Sequence, residues 1–219
     1  MATVLVTGSS RGIGLELSRQ YRARGDTVLA VCREPTAALR ELDVRVIGGV
    51  DVADDSGVAT LPARLDGVTL DVLVNNAGIL QSDRLDSIDY ATMRRQFEVN
   101  TLGPLKVTRA LLGCLADAAK VAIVSSRVGS IADNGSSNNY GYRASKAAVN
   151  MIGKNLSLDL APRGIAVALL HPGLVATEMT GGNGIEPQAA AAGLIERIDE
   201  LTLERTGTFW HAEGYELPW

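Results

Sequence analysis

Cysteine, histidine, large aromatics and long apolar runs are all scarce in this sequence, and each shortage closes off a class of explanation. The 219 residues include 2 cysteines, 2 histidines, 2 phenylalanines and 2 tryptophans, with aromatics at 4%. Cys32 and Cys114 show no CxxC spacing and are too few for a disulfide framework or a thiolate zinc site, which fits a reducing cytoplasm. His171 and His211 have no second histidine or carboxylate at ligand spacing, so no metal is expected. The balance of 21 basic and 25 acidic residues gives a formal net charge of -4, and no basic cluster exceeds two residues. Nucleic acid and anionic membrane are therefore not expected partners. No apolar stretch reaches the roughly 18 residues of a bilayer span. The chain opens on a strand-like Ala2-Thr3-Val4-Leu5-Val6 rather than a basic leader, so no signal or anchor is expected.

What is abundant is glycine, 23 residues, within a chain that is 46% apolar. A length of 219 residues suits one domain, spanning 1-219. Short β-branched runs at Thr3 to Thr7, Thr27 to Cys32, Val44 to Ile47, Leu70 to Asn75, Val121 to Ser125 and Ile165 to Leu170 read as strands, and Gly207 to Trp210 as a last one. Between them, apolar residues recur at helical spacing: Ile13, Leu17 and Tyr21; Leu102 through Leu115, in a helix expected to reach Ala119; and Ala148, Met151, Ile152, Leu156 and Leu160. This alternation predicts an α/β fold, a doubly wound parallel sheet with helices on both faces and ligands at the carboxyl ends of its strands. Thr180-Gly181-Gly182-Asn183-Gly184 reads as a mobile loop.

Two local patterns carry chemistry. The first strand ends in Thr7-Gly8-Ser9-Ser10-Arg11-Gly12-Ile13-Gly14 and runs into a helix. Such a turn lets backbone amides approach a pyrophosphate at the positive end of the helix dipole. Further on, Tyr142 and Lys146 stand one helical turn apart, sixteen positions after Ser126. That spacing puts both on one helix face, where the ammonium lowers the phenol pKa from about 10 toward working pH.

Thr7-Gly8, Gly12, Gly14, Asn75-Asn76-Ala77-Gly78, Asn100, Ser126, Tyr142, Lys146, Pro172-Gly173 and Thr177 occur in one order along the chain. In that order and approximate spacing the sequence resembles the short-chain dehydrogenase/reductase family, a Rossmann-type fold, over nearly its whole length. The resemblance implies an NADPH-dependent carbonyl reductase acting on aldehydes or ketones. Tyr142 would be the proton donor, Lys146 would tune it and hold the nicotinamide ribose, Ser126 would bind the substrate oxygen, and Asn100 would anchor a water. The cofactor shell would comprise Thr7, Gly8, Ser10, Arg11, Gly12, Ile13, Gly14, Arg33, Asp51, Val52, Asn76, Ala77, Gly78, Tyr142, Lys146, Pro172, Gly173, Val175 and Thr177. Asp51-Val52 would meet the adenine, and the loop from Pro172 to Thr177 the nicotinamide carboxamide.

Cys32 replaces the acid expected at the ribose, and Arg11 and Arg33 stand nearby, so NADP(H) is preferred over NAD(H). The serine is taken as Ser126 rather than Ser125, with the turn-rich Asp133 to Asn139 absorbing the extra length before the tyrosine. Tyr140 is set aside because Ala144, not lysine, follows four residues on. The Tyr-Arg-Ala-Ser-Lys core and the ending Gly214 to Trp219 resemble the branch holding bacterial C-factor signalling proteins and sniffer-type carbonyl reductases. That branch leaves a rival open, an NAD(P)-binding signalling protein with incidental turnover. A homodimer or homotetramer is expected from the family, with the helices around Leu102 to Ala119 and Tyr142 to Leu160 pairing through Gly103, Ala144, Ala147, Ala148 and Gly153.

Overall fold

In the computed structural model, which describes residues 1-219, the β-branched runs form one parallel sheet. Its strands are β1 (Thr3–Thr7), β2 (Thr27–Val31), β3 (Arg45–Ile47), β4 (Leu70–Asn75), β5 (Leu115–Val124), β6 (Ala166–His171) and β7 (Thr208–His211). The helices are α1 (Gly12–Ala23), α2 (Ala37–Arg40), α3 (Asp55–Ala59), α4 (Leu61–Leu65), α5 (Tyr90–Phe97), α6 (Gly103–Ala110), α7 (Tyr140–Leu160) and α8 (Pro187–Asp199). The strand order is β3-β2-β1-β4-β5-β6-β7, every neighbouring pair parallel. The direction of winding reverses between β1 and β4, and such a switch point opens a crevice at the strand ends.

Alternation along each strand divides the core into two layers. Val4 and Val6 of β1 pack with Leu17 and Tyr21 of α1 and with Leu194 and Ile198 of α8. Leu5 points the other way, among Val58, Leu61, Val107 and Val149 from α3, α4, α6 and α7. Burying one such leucine contributes about 1.5–3 kcal/mol. Two glycines let the covering helices approach. A Cβ on Gly103 would come within 2.9 Å of Val52, and one on Gly153 within 2.8 Å of Leu169. These two therefore face the parent fold rather than a partner subunit.

Two sequence expectations are corrected. The helix expected to reach Ala119 ends at Ala110, and β5 starts at Leu115, paired with Leu70. The ladder then skips from Leu115 to Lys120 while β4 advances only from Leu70 to Val72, a bulge in which Ala118 takes φ 62. Apolar spacing does not reveal a bulge. Met151, read as part of a buried stripe, is 63% exposed; α7 instead buries Ser145, Lys146, Val149, Asn150, Gly153, Ser157 and Leu160. The stretch Thr180 to Gly184 is bracketed by backbone bonds, Ile185 N–H donating to Leu174 O and Ala176 N–H to Ile185 O, both at 2.8 Å, and Gly182 N–H to Thr177 O at 2.9 Å.

Candidate active site

The turn after β1 is shaped by what its glycines lack. Gly8 has φ 69, and a Cβ there would lie 2.8 Å from Ala77 Cα; on Gly14 it would lie 2.2 Å from Gly8 O. The left-handed backbone and the close approach of β1, α1 and the β4 end both require glycine. Arg11 is the N-cap of α1 in an extended conformation, with no side chain bonded to the first-turn amides and no acid in that turn. The amides opening this 12-residue helix are thus left for an anion, so Gly12, Ile13 and Gly14 fit a dinucleotide pyrophosphate. The Ser10 carbonyl accepts from the Thr36 hydroxyl at 2.7 Å, which ties the turn to the start of α2.

The end of β4 locks to this turn. Thr7 Oγ1 accepts from Asn76 N–H and Ala77 N–H, each at 3.1 Å, and Asn76 Nδ2 donates to the Thr7 and Gly8 carbonyls at 3.0 and 3.3 Å. Gly78 brings the same segment close to the catalytic candidates, 3.4 Å from Asn100 Oδ1 and 3.8 Å from Lys146 Nζ when measured from the place of a Cβ. Asn100 lies in a π-helical turn, Glu98–Leu102, between α5 and α6. Such turns cluster at functional sites. Its side chain is spent on protein groups: Oδ1 accepts from Ile79 N–H at 2.8 Å, while Nδ2 donates to Ile79 O at 2.9 Å and Ser145 Oγ at 3.0 Å.

Over the ends of β4, β5 and β6 the structure brings Ser126, Tyr142, Lys146 and Asn100 together. The two adjacent serines part company. Ser125 Oγ donates to Asn150 Oδ1 at 2.6 Å inside the sheet–α7 interface, whereas Ser126 Oγ accepts from Val128 N–H at 3.4 Å and, through its hydrogen bond with the Tyr142 phenol, works against the rise of that pKa. Gly129 seats this serine loop on α7, since a Cβ would meet the Lys146 backbone at 2.7 Å. Ser130 faces away, donating to Trp219 O at 3.0 Å. Tyr140, at the helix start, is 37% exposed.

The electrostatics differ from the simple expectation for a tyrosine–lysine pair. Lys146 is 4% exposed and Nζ donates to Val124 O at 2.8 Å; burial pulls its pKa down to about 8. Tyr142 is pushed up to about 12, also by burial, with only the Ser126 hydroxyl working against it. Ser126, not Lys146, is thus the group that opposes the rise in the Tyr142 pKa. The Lys146 ammonium sits 5.8 Å from the phenol ring centroid and is turned toward the strand carbonyl.

The remaining cofactor candidates surround this centre unevenly. Asp51 Oδ2 accepts from Arg95 Nη2 at 2.6 Å and Oδ1 from Ala53 N–H at 3.0 Å. Desolvation alone would raise its pKa, but the Ala53 amide, Arg95 and Arg33 outweigh it and hold it low. Val52 is buried against α6. Arg33 is exposed next to the buried Cys32 at the end of β2. Arg11 is not free as the sequence suggested, because Nη1 pairs with Glu178 at 2.5 Å. Glu178 comes from the loop after β6, and Thr177 of the same loop lies 3.2 Å from where a Gly12 Cβ would stand. That loop, with Pro172 buried, Gly173 at φ 86 and Val175 O accepting from Thr180 Oγ1 at 2.6 Å, thus roofs the glycine turn.

Sequence spacing missed one neighbourhood. His171 and His211 end adjacent paired strands, so their rings meet edge to face at 4.9 Å, and His211 stacks on Tyr215 at 4.6 Å. Burial, His211, Arg127 and Lys146 pull the His171 pKa down to about 4, which keeps it neutral.

A sheet that switches direction between β1 and β4, an anion-ready glycine turn and a serine–tyrosine–lysine set over the strand ends together define a dinucleotide-binding oxidoreductase. The chain belongs to the short-chain dehydrogenase family, whose model, described as short chain dehydrogenase, matches residues 2–187. A 1-hydroxy-2-glutathionyl-2-methyl-3-butene dehydrogenase of Rhodococcus sp. (strain AD45) is 47% identical over 226 residues, covering 100% of both chains. The C-signal of Myxococcus xanthus is 45% identical over 154 residues, 68% of this chain and 93% of that one. Among solved structures, NADPH-bound carbonyl reductase from chicken fatty liver superposes with TM-score 0.91 at 29% identity, covering 100% and 99% of the two chains. Carbonyl reductase Sniffer of D. melanogaster gives 0.90 at 28% identity, with full coverage of both. The expected branch is the one found. No helix is long and apolar enough to cross a membrane.

Proposed function

We propose that the protein is an NADP(H)-dependent oxidoreductase that interconverts small or medium carbonyls and alcohols, reducing aldehydes or ketones with Tyr142 as proton donor. The observation that carries this reading is the placement of Ser126 beside the Tyr142 phenol, with Lys146 buried next to it at the carboxyl ends of the strands. When bound, the reduced nicotinamide supplies hydride to the carbonyl carbon. The chain's own part is the proton: Tyr142 Oη gives it to the carbonyl oxygen as the C–H bond forms, and Ser126 steadies the oxygen as charge develops. Lys146 would hold the nicotinamide ribose beside this pair, and Asn100 holds the Gly78–Ile79 segment against the site.

Preference for NADP(H) rests on Arg33, an exposed guanidinium beside Cys32 where a carboxylate would repel a 2'-phosphate, and on the NADPH held by the chicken neighbour. Arg11 already pairs with Glu178 in an exposed contact, so Arg33 is the basic group offered here for the 2'-phosphate. The Rhodococcus relative is named for oxidation of a thioether alcohol, and this adds glutathione-conjugated alcohols to the substrates worth trying. We also propose a cytoplasmic homodimer or homotetramer through the outer face of α7, where Met151 and Leu158 are 63% and 64% exposed. Light scattering after gel filtration checks the assembly.

The C-signal relative favours a second reading, a coenzyme-binding signalling protein with incidental turnover. One assay separates the two: nicotinamide absorbance with NADPH and then NADH against aldehydes, ketones, diketones and quinones, and with NADP⁺ against glutathionyl alcohols. Turnover that needs the phosphorylated coenzyme and falls about 10²- to 10⁴-fold in Tyr142→Phe supports the enzyme. Tight NADPH binding without turnover on any of these shifts the conclusion to the signalling protein.

A further inference from the structure

The helix that carries Tyr142 and Lys146 cannot cap itself. Its N-cap residue is Asn139, with φ 53 and ψ 43, and no side chain from the flanking residues bonds the first-turn amides. Asn138 before it also has positive φ, 71, so two successive asparagines hold the left-handed conformation just ahead of the helix. Each such residue costs about 1–3 kcal/mol and persists only where its surroundings over-determine it. The 21 residues of α7 thus start from a strained turn whose donors the N-cap side chain leaves unmet.

The missing acceptor comes from 57 positions earlier in the chain. Asp83 is 8% exposed; Oδ1 accepts from Tyr140 N–H at 2.6 Å, Oδ2 from Gly141 N–H at 3.0 Å, and its backbone carbonyl from Asn139 N–H at 3.0 Å. A single residue therefore satisfies three consecutive amides. Its segment is in turn fastened upstream. Ile79 gives both backbone groups to Asn100, and Gln81 does the same with fully buried Gln96 of α5, N–H to Oε1 at 3.1 Å and O from Nε2 at 3.3 Å. Residues 79, 81 and 83 use one edge of the segment, as alternate residues of an extended strand do. Gly141 completes the fit, because a Cβ there would meet Gln96 Nε2 at 2.6 Å and Asp83 Oδ2 at 3.3 Å.

We propose that Asp83 is a positioning residue of the reaction: by capping α7 from the loop that follows the cofactor-side Asn76–Gly78 segment, it fixes where Tyr142 stands relative to Ser126. This rests on the proton-donor reading above. A carboxylate at the positive end of a helix is favoured by the dipole as well as by the amides. Losing it frees the first turn, which bears Tyr142 two residues beyond Tyr140, and leaves Lys146 in the second turn held by Val124. Misplacement of a reacting group by about 1 Å costs on the order of 10²-fold in rate.

The test compares Asp83→Ala, Asp83→Asn and Tyr142→Phe in the full-length protein, reading kcat, KM for a turned-over carbonyl, NADPH affinity by fluorescence titration, and helix content. Asp83→Ala is expected to lower kcat about 10²-fold with NADPH affinity within about twofold, whereas Asp83→Asn, which keeps an acceptor, recovers most of the loss. The proposal is overturned by a kcat within about twofold of wild type in Asp83→Ala. It is also overturned if kcat, coenzyme affinity and helix content fall together in both Asp83 variants, because that marks general unfolding. Activity surviving in Tyr142→Phe sinks the proton-donor reading and the role of Asp83 with it. Activity lost in Tyr142→Phe but intact in Asp83→Ala removes Asp83 alone.

Discussion

The glycine turn and the catalytic helix occupy the same crevice but are built from opposite materials. At the turn, the working groups are backbone amides, and the sequence contributes by leaving side chains out: Gly8, Gly12 and Gly14 clear a path where a Cβ would strike neighbouring backbone or Thr177. At α7 the working groups are buried polar side chains, and the helix face turned inward carries Ser145, Lys146, Asn150 and Ser157 where a core helix would carry leucine. The first region answers to volume. The second answers to solvation and hydrogen bonding, so its behaviour is set by residues distant in the chain, among them Asp83, Val124 and Ser126.

Substitutions sharpen this contrast. The largest effect is expected on the helix side, from the two adjacent serines. Ser126→Ala should lower kcat about 10²-fold, the cost of one donor to a developing oxyanion. Ser125→Ala should leave turnover within severalfold but cost about 1–3 kcal/mol in urea unfolding, because Asn150 loses its buried partner. Equal kinetic losses from both would erase the distinction between them.

Next comes the buried lysine. Its folded pKa of about 8 lies below the 10.5 of the unfolded reference, so between those values the unfolded chain binds more protons and stability rises with pH. Relative to Lys146→Met, the wild type should gain about 2 kcal/mol of unfolding free energy from pH 7 to pH 10. Parallel curves for the two proteins would show that the lysine stays fully charged when buried.

The turn follows, with the smallest effect left to its control. Gly14→Ala forces a Cβ to 2.2 Å from Gly8 O and should cost about 1–3 kcal/mol together with coenzyme affinity. Gly113→Ala meets nothing within 4 Å and should stay within about 0.5 kcal/mol in a thermal melt. A silent Gly14→Ala would mean that volume does not govern the turn.

The same division decides how much could be read from the sequence. The strands were legible because a sheet covered on both faces demands continuous β-branched runs, and observed ends differ from expected ones by about a residue except in β5. The glycine turn was legible for the same kind of reason, since an empty position at fixed spacing is itself a signal. Helix α7 was harder. Apolar periodicity singled out Met151, which lies in the open, because the buried face had been given over to polar and small residues. Ser126 was preferred to Ser125 only as the second of the pair, with the later loop absorbing the extra length; that Ser125 turns its hydroxyl to Asn150 could not be read from spacing. Nothing in the sequence announced Asp83, because a cap supplied from 57 residues away leaves no local pattern. The His171–His211 contact was hidden likewise, arising only from the pairing of β6 with β7.

The ties at residues 79, 81 and 83 also bear on how this chain can change length. An extended segment fastened at every second residue tolerates no single insertion or deletion, since one added residue would turn each later tie to the opposite side. The stretch from Asp133 to Asn139 has no such frame. Its interior ties are instead made by one long side chain, Arg143, to Asn134, Ser136 and Asn138, with Arg127 pairing with Asp133 at its start. Among relatives of this protein, variation in length should therefore gather in the second loop and avoid the first, and grafts meant to alter substrate choice have room there.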